Sequence, residues 1–363
     1  RRLISYRRGY KRHRGGVLTR KKVGILGATG YTGAELLRIL LGHPGVSVEW
    51  LTSEKFAGRK ISDVFPGLSG FCGLECRSVS SFKDLPEVEL VFSCLPHGTA
   101  MHFTGRLLDK GVRVIDFSAD FRFKDTVLYE DLYKAKHRLP QYIDDAVYGI
   151  PEIFREDIRG ARLVANPGCY ATGVILGVLP LLKEGLVDEN SIIADAKSGE
   201  SGAGRAPSLD HHFPESNENA RLNPGAASHQ GPEMEEVLSS AAGKTAGVTF
   251  VPHNIPVNRG ILTTIYTRLK SEADTANVLK VFEDFYKDEP FVRVCSEGRL
   301  PDIKDTRYTN SCSIGVTINR GAVLTVVSLD NLVKGASGQA VQNMNLMLGF
   351  PEAEALGFQG MFP

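Results

Sequence analysis

No stretch of this sequence approaches the roughly 20 consecutive apolar residues that cross a bilayer, so the expectation is a soluble chain with no membrane partner. An excess of one charge sign is missing too. The 43 Lys and Arg nearly match 42 Asp and Glu, and a formal net charge of +1 gives no general reason to expect nucleic acid as partner. Cysteine is sparse and scattered: Cys72, Cys76, Cys94, Cys169, Cys295 and Cys312 occur in 363 residues without a secretory signal, which fits reduced thiols better than a disulfide framework. The one close pair, in "CGLEC", lacks the second pair that would complete a metal site and reads as an ordinary loop. Repeats are absent, and the only biased segment is the start, "RRLISYRRGYKRHRGGVLTRKK", with ten Lys or Arg and no acidic residue. Residues 1–20 are expected to be a disordered basic extension, either simply solvated or the remnant of an organellar transit sequence. The expected location is cytoplasmic, or organellar if the transit reading holds.

What is present is enough chain for two domains, with 42% hydrophobic and 23% charged residues, close to globular averages. "KVGIL" reads as a short buried strand that runs through "GATGYTGAELLRILLGHP" into a helix with Leu36, Leu37, Leu40 and Leu41 on one side. "VSVEWLTS", "VELVFSCLPHG" and "VRVIDFSAD" continue the alternation, which predicts a parallel sheet with helices on both faces. Beyond "ARLVANPGCYATG" the chain turns polar and Gly-rich, and then "GVTFVPHNIPVNRGILTTIYTRLK" and "GAVLTVVSLDNL" read as long strands of a mostly antiparallel sheet. The C-terminal "KGASGQAVQNMNLMLGF" spaces Ala340, Met344 and Met347 helically and is expected to pack back on the first domain. The fold class expected is α/β: a Rossmann-type dinucleotide-binding domain over 21–165 with 332–363, and an α+β catalytic and oligomerisation domain with a mostly antiparallel sheet over 166–331.

Two motifs carry chemistry. Gly27, Gly30 and Gly33 form G-x-x-G-x-x-G between a strand and a helix, where backbone N–H groups and the helix dipole hold a pyrophosphate. After the second strand, Ser53, Lys55 and Arg59 suit a 2′-phosphate, while the adjacent Glu54 suits ribose hydroxyls and the two cations also fit a solvated loop; NADP is favoured. In "NPGCYATG", Cys169 follows Pro-Gly at the start of a helix, where the dipole is expected to lower the thiol pKa and unpaired N–H groups to receive an oxyanion. A dinucleotide loop and a nucleophilic thiol together suggest hydride transfer to a thioester.

"GATGYTGAELLRILLGHP", "CLPHG", "VIDFSADFR", "YGIPE", "NPGCYATG", "SGESGAGR", "NRGIL" and "LDNLVKGASGQAVQNMN" closely resemble the N-acetyl-γ-glutamyl-phosphate reductase family of arginine biosynthesis, relatives of aspartate-semialdehyde dehydrogenase, from Lys22 to the C-terminus. The resemblance implies NADPH-dependent reduction of the acyl phosphate to the semialdehyde, with Cys169 as nucleophile and inorganic phosphate as co-product. It implies that Gly27, Thr29, Gly30, Tyr31, Thr32 and Gly33 hold the pyrophosphate, with Ser53 near the adenosine phosphate. Pro96, His97, Gly98 and Asn331 fall on the nicotinamide side, and Ser198, Gly199, Ser201 and Gly202 on the wall between cofactor and substrate. Arg122 and Arg205 are candidates for substrate carboxylate or phosphate, because planar forks suit those anions. The family also implies a homo-oligomer, a tetramer or dimer, and no metal.

One departure concerns the acid/base. Where the family reads H-R-H-x-P-E-I this chain has "SHQGPEM", so the flanking histidines fall on Ser228 and Gln230 and only His229 remains at the central place. His229 is the first candidate and His253 the second, with His211 and His212 as further options. Three competing readings stay open. A short-chain dehydrogenase would need a Tyr-x3-Lys pair on a helix, and the one match, Tyr266 to Lys270, falls in a strand. A reductase acting on a carrier-bound aminoadipyl or glutamyl phosphate would share the chemistry. A non-catalytic dinucleotide sensor would have no use for an activated Cys169.

Overall fold

Strands rich in Val, Ile and Leu alternate with amphipathic helices, and in the computed structural model, which describes residues 20–361, they form two seven-stranded sheets. The expectation for the basic extension thus lies outside the described residues, Arg20 excepted. The first sheet contains β1 (Lys21–Leu26), β2 (Val46–Thr52), β3 (Cys76–Arg77), β4 (Leu90–Ser93), β5 (Arg113–Asp116), β6 (Ala146–Tyr148) and β7 (Leu163–Ala165), in the order β3-β2-β1-β4-β5-β7-β6, with every pair parallel. Helices cover both faces, so the central strand has no polar side: Val23, Ile25 and Leu26 are fully buried. The strand order reverses between β1 and β4, which opens a crevice at their C-terminal ends. The single Trp is part of this core. Trp50 lies over Gly24, where a Cβ would come within 2.2 Å of the indole, and its Nε1 donates to the Pro86 carbonyl at 2.9 Å.

The second sheet contains β8 (Ile192–Gly199), β9 (Arg221–Leu222), β10 (Val248–Ile255), β11 (Ile261–Arg268), β12 (Val292–Val294), β13 (Cys312–Asn319) and β14 (Ala322–Leu329), in the order β12-β13-β14-β11-β8-β10-β9. Four of the six pairings are antiparallel; β8 with β10 and β12 with β13 are parallel. The expected α/β architecture, with a mostly antiparallel second sheet, is what the chain adopts. One face of this sheet carries the helix Cys169–Lys183, flanked by Pro224–Ala242 and Thr275–Tyr286. Gly177 lets the first of these lie close, since a Cβ there would fall 2.7 Å from both Ile265 Cδ1 and Val327 Cγ2. The opposite face leaves Ile193 43% and Tyr266 37% exposed.

The end of the chain returns to the first sheet. After β14 it makes a π turn, Val333–Ser337, and then the helix Gly338–Leu348, which packs on Pro151–Gly160 and on the glycine-loop helix Tyr31–Leu41 with Ala340, Met344 and Met347 buried. Arg259, at the turn between β10 and β11, ties the second sheet to the glycine-loop helix through Glu35 at 2.6 Å. Among the described residues no helix is long and apolar enough to cross a membrane, and the six cysteines are all free.

Candidate active site

A cleft of about 360 Å³ lies where the C-terminal edge of the first sheet faces the start of the Cys169–Lys183 helix, and Gly30, Pro96, Cys169, Ser201, Asn331 and Gly335 all contribute to its wall. The thiol and the glycine loop, 139 residues apart in sequence from Gly30 to Cys169, therefore border one space. The helix forms at Cys169 because Pro167 and Gly168 end the β7 segment in extended backbone, with Gly168 at φ −66° and ψ 145°, and Tyr170 to Leu182 then bury every side chain.

Side chains already take the Gly168 N–H and two N–H groups of the first turn. Gln230 Oε1 accepts from Tyr170 N at 3.2 Å and Ala171 N at 3.3 Å, and Glu233 Oε1 accepts from Gly168 N at 2.8 Å. The thiol pKa is not depressed, contrary to the expectation from the dipole. Burial pushes Cys169 up to about 11, outweighing the pull of Arg122 and of the N–H groups of Tyr170 and Cys169, while Glu233 adds to the rise. The helix start is favourable to a thiolate, but desolvation of the half-buried Cys169 outweighs it.

Arg122 lines the cleft with Cys169 and is also tied into the loop before it. Its Nε donates to the Asn166 carbonyl at 2.9 Å, Nη2 to the Phe117 carbonyl at 2.8 Å and Nη1 to Glu233 at 3.1 Å, so the guanidinium braces the NPG loop beneath Cys169. Glu233, fully buried, also accepts from Tyr148 Oη at 2.6 Å. Arg205 turns to the cofactor side instead: it donates to the Thr29 carbonyl at 3.1 Å and lies over the rings of Phe65 at 4.6 Å and Phe56 at 5.5 Å.

The histidines separate. His253 is on β10, where alternation sends Phe250 and Asn254 to the helix-covered face and His253 to the other; it pairs there with Asp195 at 3.3 Å. The structure does not bring it to the thiol. His229 precedes Gln230 on its helix and stacks on Tyr133, centroids 4.7 Å apart, with His97 at 6.5 Å. Burial holds the His97 imidazole below its ordinary value. His211 bonds Glu200 at 2.6 Å beside an adjoining cavity of about 460 Å³ that also receives Tyr31 and Arg205.

The glycine loop fits a dinucleotide. Gly27 has φ +79°, and a Cβ there would lie 2.7 Å from the Cys94 carbonyl; Gly33 brings the helix onto Ala28 in the same way. Gly30 caps the helix with no side-chain bond, and a Cβ there would meet only the Gly27 carbonyl at 3.9 Å, so the N-terminus opens into the cleft. Thr29 and Ser53 bond each other at 2.7 Å, which joins the glycine loop to the end of β2. Gly98 has φ +74° and donates to Asp120 at 2.8 Å. Asn331 joins Ser201 Oγ, at 2.9 Å, to Gly260 N, at 2.8 Å. Ser198 is buried below Gly202, and Gly199 packs on the Val257–Arg259 backbone, where a Cβ would come within 2.8 Å.

The buried Asp120 carboxyl supports the Gly98 loop, and its buried neighbour Asp116 predicts a pH effect. Burial, and then the neighbouring Asp120 charge, push Asp116 from its ordinary 3.8 up to about 7. Between those values the folded protein retains a proton that the unfolded chain releases, so stability falls as pH rises from 4 to 7 and is level above. The difference is roughly 4 kcal/mol at most. Asp116→Asn is expected to be more stable than wild type at pH 8 and to flatten the profile; urea unfolding at pH 5 and pH 8 checks this, and an unchanged pH dependence contradicts it.

Comparison with known proteins agrees with this geometry. The chain matches the semialdehyde dehydrogenase NAD-binding domain family over residues 22–161 and the semialdehyde dehydrogenase dimerisation domain family over residues 169–331. It is 47% identical over 344 residues to the N-acetyl-gamma-glutamyl-phosphate reductase of Pelotomaculum thermopropionicum, covering 94% of this chain and 99% of that protein. The reductase of Moorella thermoacetica is likewise 47% identical over 346 residues, covering 94% and 99%. Among solved structures, aspartate semialdehyde dehydrogenase II from Vibrio cholerae, complexed with ASA, superposes with a TM-score of 0.70 at 17% identity over 91% of this chain and 99% of that one. The enzyme with NADP from Candida albicans does so with a TM-score of 0.70 at 16% identity over 91% and 99%. At these identities the structures speak for the fold alone.

Proposed function

As the chain belongs to the N-acetyl-γ-glutamyl-phosphate reductases, the semialdehyde dehydrogenases of arginine biosynthesis, we propose that it reduces N-acetyl-γ-glutamyl phosphate to the semialdehyde through a thioester on Cys169. The observation that carries this is the single cleft bordered by both the thiol and the open N-terminus of the glycine-loop helix. The Cys169 sulfur attacks the acyl carbon, the C–O bond to phosphate breaks, and inorganic phosphate leaves. With the thiol held up at about 11, its proton must depart as the C–S bond forms. His229, the histidine that the family pattern leaves at this place, is the acceptor we assign; it stacks on Tyr133 with His97 6.5 Å away, on the helix that also carries Gln230. Bound at the glycine loop, the cofactor supplies the hydride. Return of the proton and collapse of the hemithioacetal then release the semialdehyde and restore the thiol. Neither the carrier-bound substrate nor the sensor reading has an observation in its favour.

We assign NADP as the cofactor. Glu54, the one acid placed for ribose hydroxyls, is committed to Ser78 Oγ and Val79 N. Arg205, Arg59 and Lys55 surround Phe56 at 5.5, 5.8 and 5.6 Å, a cationic rim beside the glycine loop. Arg205→Ala is expected to raise the KM for NADP about tenfold and to leave that for NAD nearly unchanged, as for loss of a charge-assisted bond; equal effects on both would assign Arg205 elsewhere. The open face of the second sheet, within the region matched as a dimerisation domain, suits a homo-oligomer. The activity is tested by offering N-acetylglutamate semialdehyde with NADP and watching nicotinamide absorbance. Reduction that requires inorganic phosphate supports the reading, and its absence rejects it.

A further inference from the structure

The π turn Val333–Ser337 reaches three parts of the site at once. Its wide winding is seen in the bonds Gly335 N to Asp330 O and Ser337 N to Leu332 O, both spanning five residues at 2.9 Å. Gly335 lies against the nucleophile: a Cβ there would stand 2.8 Å from Cys169 Cβ, 3.2 Å from Leu329 Cδ1 and 3.3 Å from the Asp330 carbonyl. The next carbonyl, of Ala336, accepts from Asn166 Nδ2 at 3.0 Å in the NPG loop. The next hydroxyl, of Ser337, donates to the Thr32 carbonyl at 2.8 Å in the glycine-loop helix. From behind, Lys334 is fully buried and bonded to Glu152 at 2.6 Å and Gln342 at 2.8 Å.

We propose that this turn is the gauge that sets the thiol relative to the cofactor loop, with Gly335 as the positioning residue for Cys169 and Ser337 as the positioning residue for the glycine loop. The inference rests on the reading of Cys169 as nucleophile. Gly335 is required for space: its backbone is not in the left-handed region, so an alanine there meets no conformational penalty, and its tightest contact is Cys169, ahead of Leu329 and the Asp330 carbonyl. The methyl has a backbone carbonyl on one side and a packed helix start on the other, so the displaced group is the cysteine. Loss of reacting geometry by a fraction of an ångström to one ångström costs on the order of 100-fold in rate.

The test uses the full-length protein and three readouts. Gly335→Ala is expected to lower kcat about 100-fold, to slow iodoacetamide alkylation of Cys169 about tenfold, and to keep the NADP dissociation constant within about twofold of wild type. Wild-type kcat and alkylation rate in the folded variant overturn the proposal, as does a loss of NADP binding equal to the loss of rate. Should Gly335→Ala not fold, Ser337→Ala decides: it is expected to raise the KM for NADP about fivefold with the alkylation rate unchanged. An unchanged KM, or slowed alkylation, overturns the gauge. Alkylation requires neither acyl phosphate nor cofactor, so it separates the two claims. Slowed alkylation in Gly335→Ala together with no phosphate-dependent reduction by the wild type would reject the reaction and retain the positioning.

Discussion

Cys169→Ala is expected to lower kcat by roughly four to six orders of magnitude, the range seen when an enzyme loses its covalent nucleophile. The expectation has a structural basis beyond sulfur chemistry, since no other thiol borders the cleft in a comparable setting. Cys94 lines it too, but burial and the Asp116 charge hold that thiol well above its ordinary value. The alanine variant is also expected to fold and to bind NADP as wild type does, because Cys169 opens its helix and the helix is held by the apolar residues from Tyr170 onward. A variant retaining even a hundredth of wild-type turnover would mean that the acyl group is not passed through this sulfur.

Glu152→Ala is expected to cost about 3–5 kcal/mol of stability. Glu152 and Lys334 are fully shut off from solvent in their charged groups and stand 2.6 Å apart. Burial alone would raise the Glu152 carboxyl, and the Lys334 ammonium more than offsets that, leaving it below its ordinary value. Truncating the acid strands an ammonium with only Gln342 and the face of Phe291, 5.7 Å away. The physical cause is the isolated charge rather than a missing contact, so the double variant Glu152→Leu with Lys334→Met is expected within about 1.5 kcal/mol of wild type, or above it. Gln342 keeps Glu352 at 2.8 Å and Asn310 at 3.2 Å in that variant. Urea unfolding of Glu152→Leu, Lys334→Met and the double closes the cycle; additive losses would mean no coupling between the two groups and would contradict the isolated-charge account.

The parts of this site that depend on backbone conformation within a few residues were legible without coordinates. Glycines between a strand and a helix mean a close approach of backbone, and Pro-Gly before an apolar run means a helix start, so Gly27, Gly30, Gly33 and Cys169 identify themselves. Strand alternation was also legible, and it already separates His253 from Asn254 on β10. What was hidden depends on distance along the chain. Arg122 presents a planar fork to any reader, but its partner Glu233 is 111 residues away, and only the fold shows that the fork braces the NPG loop. Arg205 reaches Thr29 across 176 residues and so sits against the glycine loop. The thiol pKa went the other way for a related reason: the dipole is a local property, whereas burial is the sum of everything packed around the sulfur. Gly335 was hidden because a π turn and an α-helical turn draw on the same residues, and nothing in "VKGASG" distinguishes them.

The central claim is a covalent one, and intact-protein mass spectrometry addresses it directly. Mixing the cofactor-free enzyme with N-acetyl-γ-glutamyl phosphate is predicted to add one N-acetylglutamyl group per chain, mapped by peptide analysis to Cys169 and removed when NADPH is supplied. An enzyme that turns over with NADPH yet acquires no adduct, or acquires it on another residue, would contradict the account.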